Sequence, residues 1–106
     1  MERITWTARI KPGMKAEYIK RHDEIWPEMS ATLHEAGVTN YSIWCVGEDT
    51  LFGYYEATRG AKAALDFQAN SPVVAKWNVY MLDVMEMVKD PVTGQPMVLE
   101  EVFRHD

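Results

Sequence analysis

Residues 38–58 read VTNYSIWCVGEDTLFGYYEAT. Two runs rich in aromatic and β-branched residues, Val38 to Val46 and Leu51 to Thr58, flank a short Gly-Glu-Asp-Thr turn. Such a pattern predicts an antiparallel hairpin. Successive side chains of a strand point to opposite faces. Here both faces are apolar: Tyr41, Ile43 and Cys45 alternate with Trp44 and Val46, and Leu51 and Tyr55 alternate with Phe52 and Tyr54. A sheet covered on one face alone would alternate apolar with polar. The second apolar face calls for a second cover: a partner subunit, a ligand pocket, or both. A homodimer with sheets packed face to face is the expectation.

Outward from the hairpin, the pattern extends in both directions. Between Glu2 and Ile10, Ile4, Trp6, Ala8 and Ile10 alternate with Arg3, Thr5, Thr7 and Arg9, a strand. Pro12-Gly13 breaks the chain. Met14 to Arg21 reads as a helix, and Asp23 to Pro27 interrupts it, because a residue preceding proline avoids the α region. A second helix runs from Pro27 to Ala36 and Gly37 ends it. Beyond the hairpin, Ala61 to Gln68 is a short helix. Ser71-Pro72 starts another that runs to about Met85. Lys89 to Pro96 is a loop, and Met97 to Phe103 the last strand. The order β-α-β-β-α-β predicts an α+β, ferredoxin-like fold: a four-stranded antiparallel sheet with helices on one face. No composition shift divides the chain, so residues 1–106 are expected to form a single domain.

The composition narrows the partners. The 106 residues are 47% hydrophobic and 25% charged, with net charge −5, a soluble globular balance. An acidic chain is a poor match for nucleic acid or for an anionic membrane surface. No segment approaches the about 20 apolar residues that span a bilayer, and MERITWTARI has no apolar signal core. A cytoplasmic location is expected. The single cysteine, Cys45, excludes an intrachain disulfide and reads as a small buried core residue.

Tyr18, His22 and Trp26 lie four residues apart in EYIKRHDEIWPEM, residues 17–29. That spacing places a phenol and an imidazole on one helix face, with the indole just past the break. His22 is the candidate acid/base, since imidazole gives and takes protons near neutral pH. His34, near a helix end, reads as structural and His105 as solvated. In KWNVYMLDVM, residues 76–85, Trp77, Met81 and Val84 share a helix face, which reads first as core packing, with an aromatic wall for a sugar as the alternative. Asp83 reads as a solvated helix residue, with a pocket acceptor as the alternative. No H-E-x-x-H, paired C-x-x-C, G-x-G-x-x-G, Walker loop or G-x-S-x-G motif is present. No metal and no cofactor are therefore expected.

Several blocks carry a resemblance: Glu17-Tyr18, Arg21-His22, Ile25-Trp26-Pro27-Glu28, Asn40-Tyr41, Trp77, Tyr80-Met81, Asp83-Val84-Met85 and Leu99-Glu100-Glu101-Val102-Phe103. Together they resemble the L-rhamnose mutarotase family over essentially the whole chain. The resemblance implies a dimeric α+β barrel and an isomerase that interconverts the α and β anomers of L-rhamnose. It implies that His22 is the proton donor and that Tyr18, Tyr41 and Trp77 contact the sugar. Many members carry Trp-Trp at the last site, where this chain has Lys76-Trp77, so only Trp77 is carried over. Mutarotation needs proton transfers alone, in keeping with the inventory above. The second proton-transfer group is open among Tyr18, Tyr41, Asp83 and a water. Alternatives on the same fold are a non-catalytic sugar-binding dimer and a cofactor-free monooxygenase or isomerase.

Overall fold

A computed structural model describes all residues except Gln95, Pro96 and Val98. The elements run β1 (Glu2–Ile10), α1 (Lys15–Asp23), α2 (Pro27–Glu35), β2 (Val38–Val46), β3 (Thr50–Ala57), α3 (Ala61–Ala69), α4 (Pro72–Met81) and β4 (Met85–Met87). The four strands form one antiparallel sheet in the order β2-β3-β1-β4. This is the ferredoxin-like arrangement, with each helical position of the β-α-β-β-α-β pattern split into two.

Local chemistry explains the breaks. Trp26 is extended, with φ −62° and ψ 136°, as a residue before proline must be, and Pro27 opens α2. Ser71 caps α4, its hydroxyl accepting from the Val74 N–H at 3.3 Å. The helices cover one face of the sheet. Ala8, Ile10, Leu51, Trp77, Met81 and Val84 belong to one buried cluster, and Val38, Tyr55, Ala57 and Ala64 to another.

The last strand differs from the sequence reading. Helix α4 stops at Met81, and the fourth strand is Met85–Met87, paired with Ala8–Ile10 of β1. The described residues of 97–103 form no strand, and Val98 lies outside the described residues. The expected loop over 89–96 also includes two residues outside the description. Met97 reaches the residue just past β4, its N–H donating to the Val88 carbonyl at 2.9 Å. Cys45 is also corrected: it is exposed, because its side of β2 faces an open cavity rather than packed helix side chains.

The decisive irregularity is in β2. Val38 pairs with Ala57 and Thr39 with Glu56, but the next pair is Ser42 with Tyr54. Two residues, Asn40 and Tyr41, therefore stand opposite Tyr55 alone, a β-bulge. Asn40 adopts φ +49°, a left-handed conformation that asparagine tolerates better than most residues. Its amide donates to Glu56 Oε1 at 2.7 Å. The extra residue changes the phase of the strand, so Val38 and then Tyr41, Ile43 and Cys45 share the helix-covered face. Trp44 and Val46 are left on the other face, 68% and 60% exposed, beside Phe52 of β3, 41% exposed.

Asn40→Val is expected to destabilise the protein by about 1–3 kcal/mol, the cost of holding a β-branched residue at positive φ. Asn40→Gly, which keeps the bulge and loses only the amide, should cost less. Denaturant unfolding of the two variants beside wild type checks the order.

Candidate active site

Helix α1 presents Tyr18 and His22 one turn apart, their ring centroids 4.3 Å from each other. Tyr18 is buried and His22 half-buried. The His22 Nδ1 lies 3.0 Å from the Tyr18 carbonyl oxygen. A carbonyl can only accept, so Nδ1 carries the proton and Nε2 is the free nitrogen of the neutral ring. Trp77 of α4 meets the imidazole edge-on, with centroids 5.5 Å apart. Trp26 packs edge-on against Trp77 at 5.1 Å and tilted against Tyr80 at 5.2 Å, so the residue after the helix break buttresses the wall.

Strand β2 supplies Tyr41 from the opposite side. Its hydroxyl accepts from the Trp6 indole N–H at 2.9 Å, and its ring lies 5.0 Å from that of Tyr55. Tyr18, His22, Tyr41 and Trp77, the four residues singled out in the sequence, all line one cavity of about 1690 Å³ that opens to solvent. This exceeds the about 300–1,000 Å³ usual for a small-molecule site, because the cavity extends along the clefts between sheet and helices.

Electrostatics divides the titratable groups into two kinds. Burial pushes the Tyr18 phenol well above its usual value, with Tyr41 and Cys45 adding to the shift. Burial likewise raises Tyr41, partly offset by the hydrogen bond from Trp6. Both phenols are thus neutral donors. His22 moves the other way: burial lowers it below 6.5, against a smaller opposing effect of its bond to the Tyr18 backbone. Neutral imidazole is therefore the dominant form at pH 7. The Tyr18 hydroxyl has no hydrogen-bond partner among the described residues. An unsatisfied buried hydroxyl costs about 1–3 kcal/mol, which a polar ligand in the cavity would recover.

Lys76 and Asp83 are placed elsewhere. Lys76 is exposed on α4 and does not line the cavity. Asp83 lies beyond the end of α4 and is neither helical nor free: Arg21 grips it through Nη1 at 2.8 Å and Nη2 at 3.2 Å. The same guanidinium donates to the Tyr80 carbonyl at 2.6 Å and to Glu17 at 3.0 Å, and lies 4.3 Å over the Tyr80 ring. Arg21 thus ties α1 to the end of α4 beside the His22–Trp77 contact. The sequence reading missed this clamp, and also missed Trp6, although Arg21 is adjacent to His22.

Comparison with known proteins gives the chain a family. A family model described as L-rhamnose mutarotase matches residues 3–105. The chain belongs to the L-rhamnose mutarotase family. It is 40% identical over 108 residues to the L-rhamnose mutarotase of Phocaeicola vulgatus, covering 100% of both chains. It is 42% identical over 106 residues to that of Listeria monocytogenes, covering 97% of each. Among solved structures, the L-rhamnose mutarotase of Formosa agariphila superposes with a TM-score of 0.79 at 33% identity, over 100% of both chains.

Arg21→Met keeps an unbranched, flexible side chain and removes the guanidinium that makes the clamp. Its melting temperature should fall below wild type at pH 7. Asp83 is held below 3.8 in the folded chain, first by its bond to Arg21. Its contribution is therefore complete above the unfolded carboxylate value and disappears as pH falls through the folded one. The gap in melting temperature between the two proteins should accordingly begin to narrow below about pH 4, leaving the part due to the Tyr80 carbonyl bond, and should also narrow with added salt. Thermal unfolding across pH reads both.

Proposed function

We propose that this protein is an L-rhamnose mutarotase whose proton-transfer residue is His22, with Tyr18, Tyr41 and Trp77 holding the sugar. The observation that carries the reading is the convergence of these four side chains on one cavity, in a chain about 40% identical over its full length to named L-rhamnose mutarotases. The aromatic and aliphatic walls suit the C–H faces and the methyl group of a 6-deoxy sugar. The two phenols and the imidazole supply polar contacts for its oxygens.

The electrostatics gives each group a part. Neutral His22, with Nε2 free, takes the proton of the anomeric hydroxyl as C1–O1 becomes a carbonyl and C1–O5 breaks. A phenol, kept protonated by burial, or a water hydrogen-bonded to it gives a proton to O5. The aldehyde turns about C1–C2. In the closing half, O5–H returns its proton as it attacks the other face of C1, and His22 donates to O1. Atoms and charge balance over the cycle. Asp83 is occupied by Arg21, so the second proton-transfer group in this scheme is a phenol or its water.

Saturation-transfer NMR of the L-rhamnose anomers tests the reading. Wild type should accelerate exchange, and a folded His22→Ala protein should lose about 10²- to 10⁴-fold of that acceleration. Binding without acceleration by wild type would instead identify a sugar-binding protein. The pH profile of the enzyme-catalysed exchange, corrected for the spontaneous reaction, should fall on the acid side with an apparent pKa below 6.5, as His22 becomes protonated.

The second cover of the sheet belongs to the same proposal: two copies of the 1–106 domain pack through the face that carries Trp44, Val46 and Phe52. This apolar surface supports a homodimer. Light scattering on an eluting size-exclusion peak should give twice the chain mass, and Trp44→Glu should give a single one. A wild type of single-chain mass would remove the dimer from the proposal.

A further inference from the structure

Trp6 and Tyr41 belong to strands that are not neighbours. β3 runs between β1 and β2 in the sheet, yet the Trp6 indole N–H reaches the Tyr41 hydroxyl at 2.9 Å. The indole must therefore lie across the backbone of β3. The residue it crosses is Gly53, which is paired with Trp6 on one side and Ile43 on the other. A Cβ at Gly53 would stand 1.9 Å from Trp6 Cε2 and 2.1 Å from Nε1. No side chain larger than hydrogen leaves that passage open.

The bond has a directional consequence. A phenol carries one proton and can both donate and accept. Trp6, a pure donor, takes an acceptor position on the Tyr41 oxygen, so the phenol proton must point elsewhere. Tyr41 lines the cavity, and its proton is left for an oxygen there.

We propose that Trp6, seated on Gly53, is a positioning residue that orients the Tyr41 hydroxyl as a hydrogen-bond donor to a sugar oxygen. The proposal rests on the sugar-isomerase reading above. It adds a residue on a different strand, acting through Tyr41.

The test is a double-mutant cycle on anomer exchange with L-rhamnose, using Trp6→Phe, Tyr41→Phe and the pair together. Each single change should lower kcat/KM by about three- to tenfold, the worth of one neutral hydrogen bond. The double variant should be no worse than Tyr41→Phe, since Trp6 has nothing left to orient. Full activity in Trp6→Phe, or losses that multiply in the double variant, would overturn the proposal. A second measurement needs no change at position 6 beyond assigning its signal. In ¹⁵N-labelled protein, the Trp6 indole N–H resonance should shift both in Tyr41→Phe and when L-rhamnose is added to wild type. A resonance unmoved by either refutes the link to Tyr41. Failure of wild type to speed exchange would refute the sugar-isomerase reading, while the response to Tyr41→Phe would still decide whether Trp6 holds Tyr41.

Discussion

The pleat of a strand imposes a period of two, and β2 breaks it once. Before the bulge, the helix-facing residue is Val38; after it, the helix-facing residues are Tyr41, Ile43 and Cys45. In an unbroken strand Val38 and Tyr41 would lie on opposite faces. Val38 packs in the core with Ala57 and Tyr55, so its side is fixed by burial. Tyr41 comes to the cavity only because Asn40 absorbs one residue at positive φ. Opposite His22, that step brings the Tyr41 hydroxyl to Trp6 and its ring beside Tyr55, and it leaves Trp44 on the far face.

The helical wall has a separate origin. Tyr18 and His22 are aligned by the four-residue spacing of α1, and Trp77 arrives on α4 from a remote part of the chain. Two helices with no hydrogen-bonded ladder between them need a link of their own. Arg21 supplies it by binding Glu17 on its own helix and, across the gap, the Tyr80 carbonyl and Asp83. Burial then sorts the protonation states in opposite senses, neutral imidazole and neutral phenols. The helical wall therefore holds a proton acceptor, His22, beside a donor, Tyr18, and the strand wall a second donor, Tyr41.

Much of this was legible in the residues. The hairpin, the break before Pro27, the pairing of Tyr18 with His22 and the unusual second apolar face all follow from local spacing. The fourth strand did not, since Met85-Glu86-Met87 alternates over three residues only, while Trp77, Met81 and Val84 continue a helical period of 3.6 up to it. Only the turn after Met81 and the pairing with β1 decide between them. Cys45 looked like core because the run around it is apolar, and no local pattern says where helix cover ends. The Trp6–Tyr41 contact joins residues 35 apart in sequence across an intervening strand. Its one trace in the sequence is a glycine amid aromatic residues in mid-strand, at Phe52-Gly53-Tyr54.

The bulge has an effect beyond aiming a phenol. Among the described residues β2 is paired on one side only, and at nine residues it is long for a strand left at the rim of a sheet. Rims of that kind present free N–H and C=O groups that recruit further strands and seed fibrils. A kink with strengthened twist at Asn40 spoils the straight template such growth requires. The residue that turns Tyr41 inward thus also guards the open margin of the sheet, so substitutions that straighten β2 carry an aggregation hazard as well as a loss of site geometry.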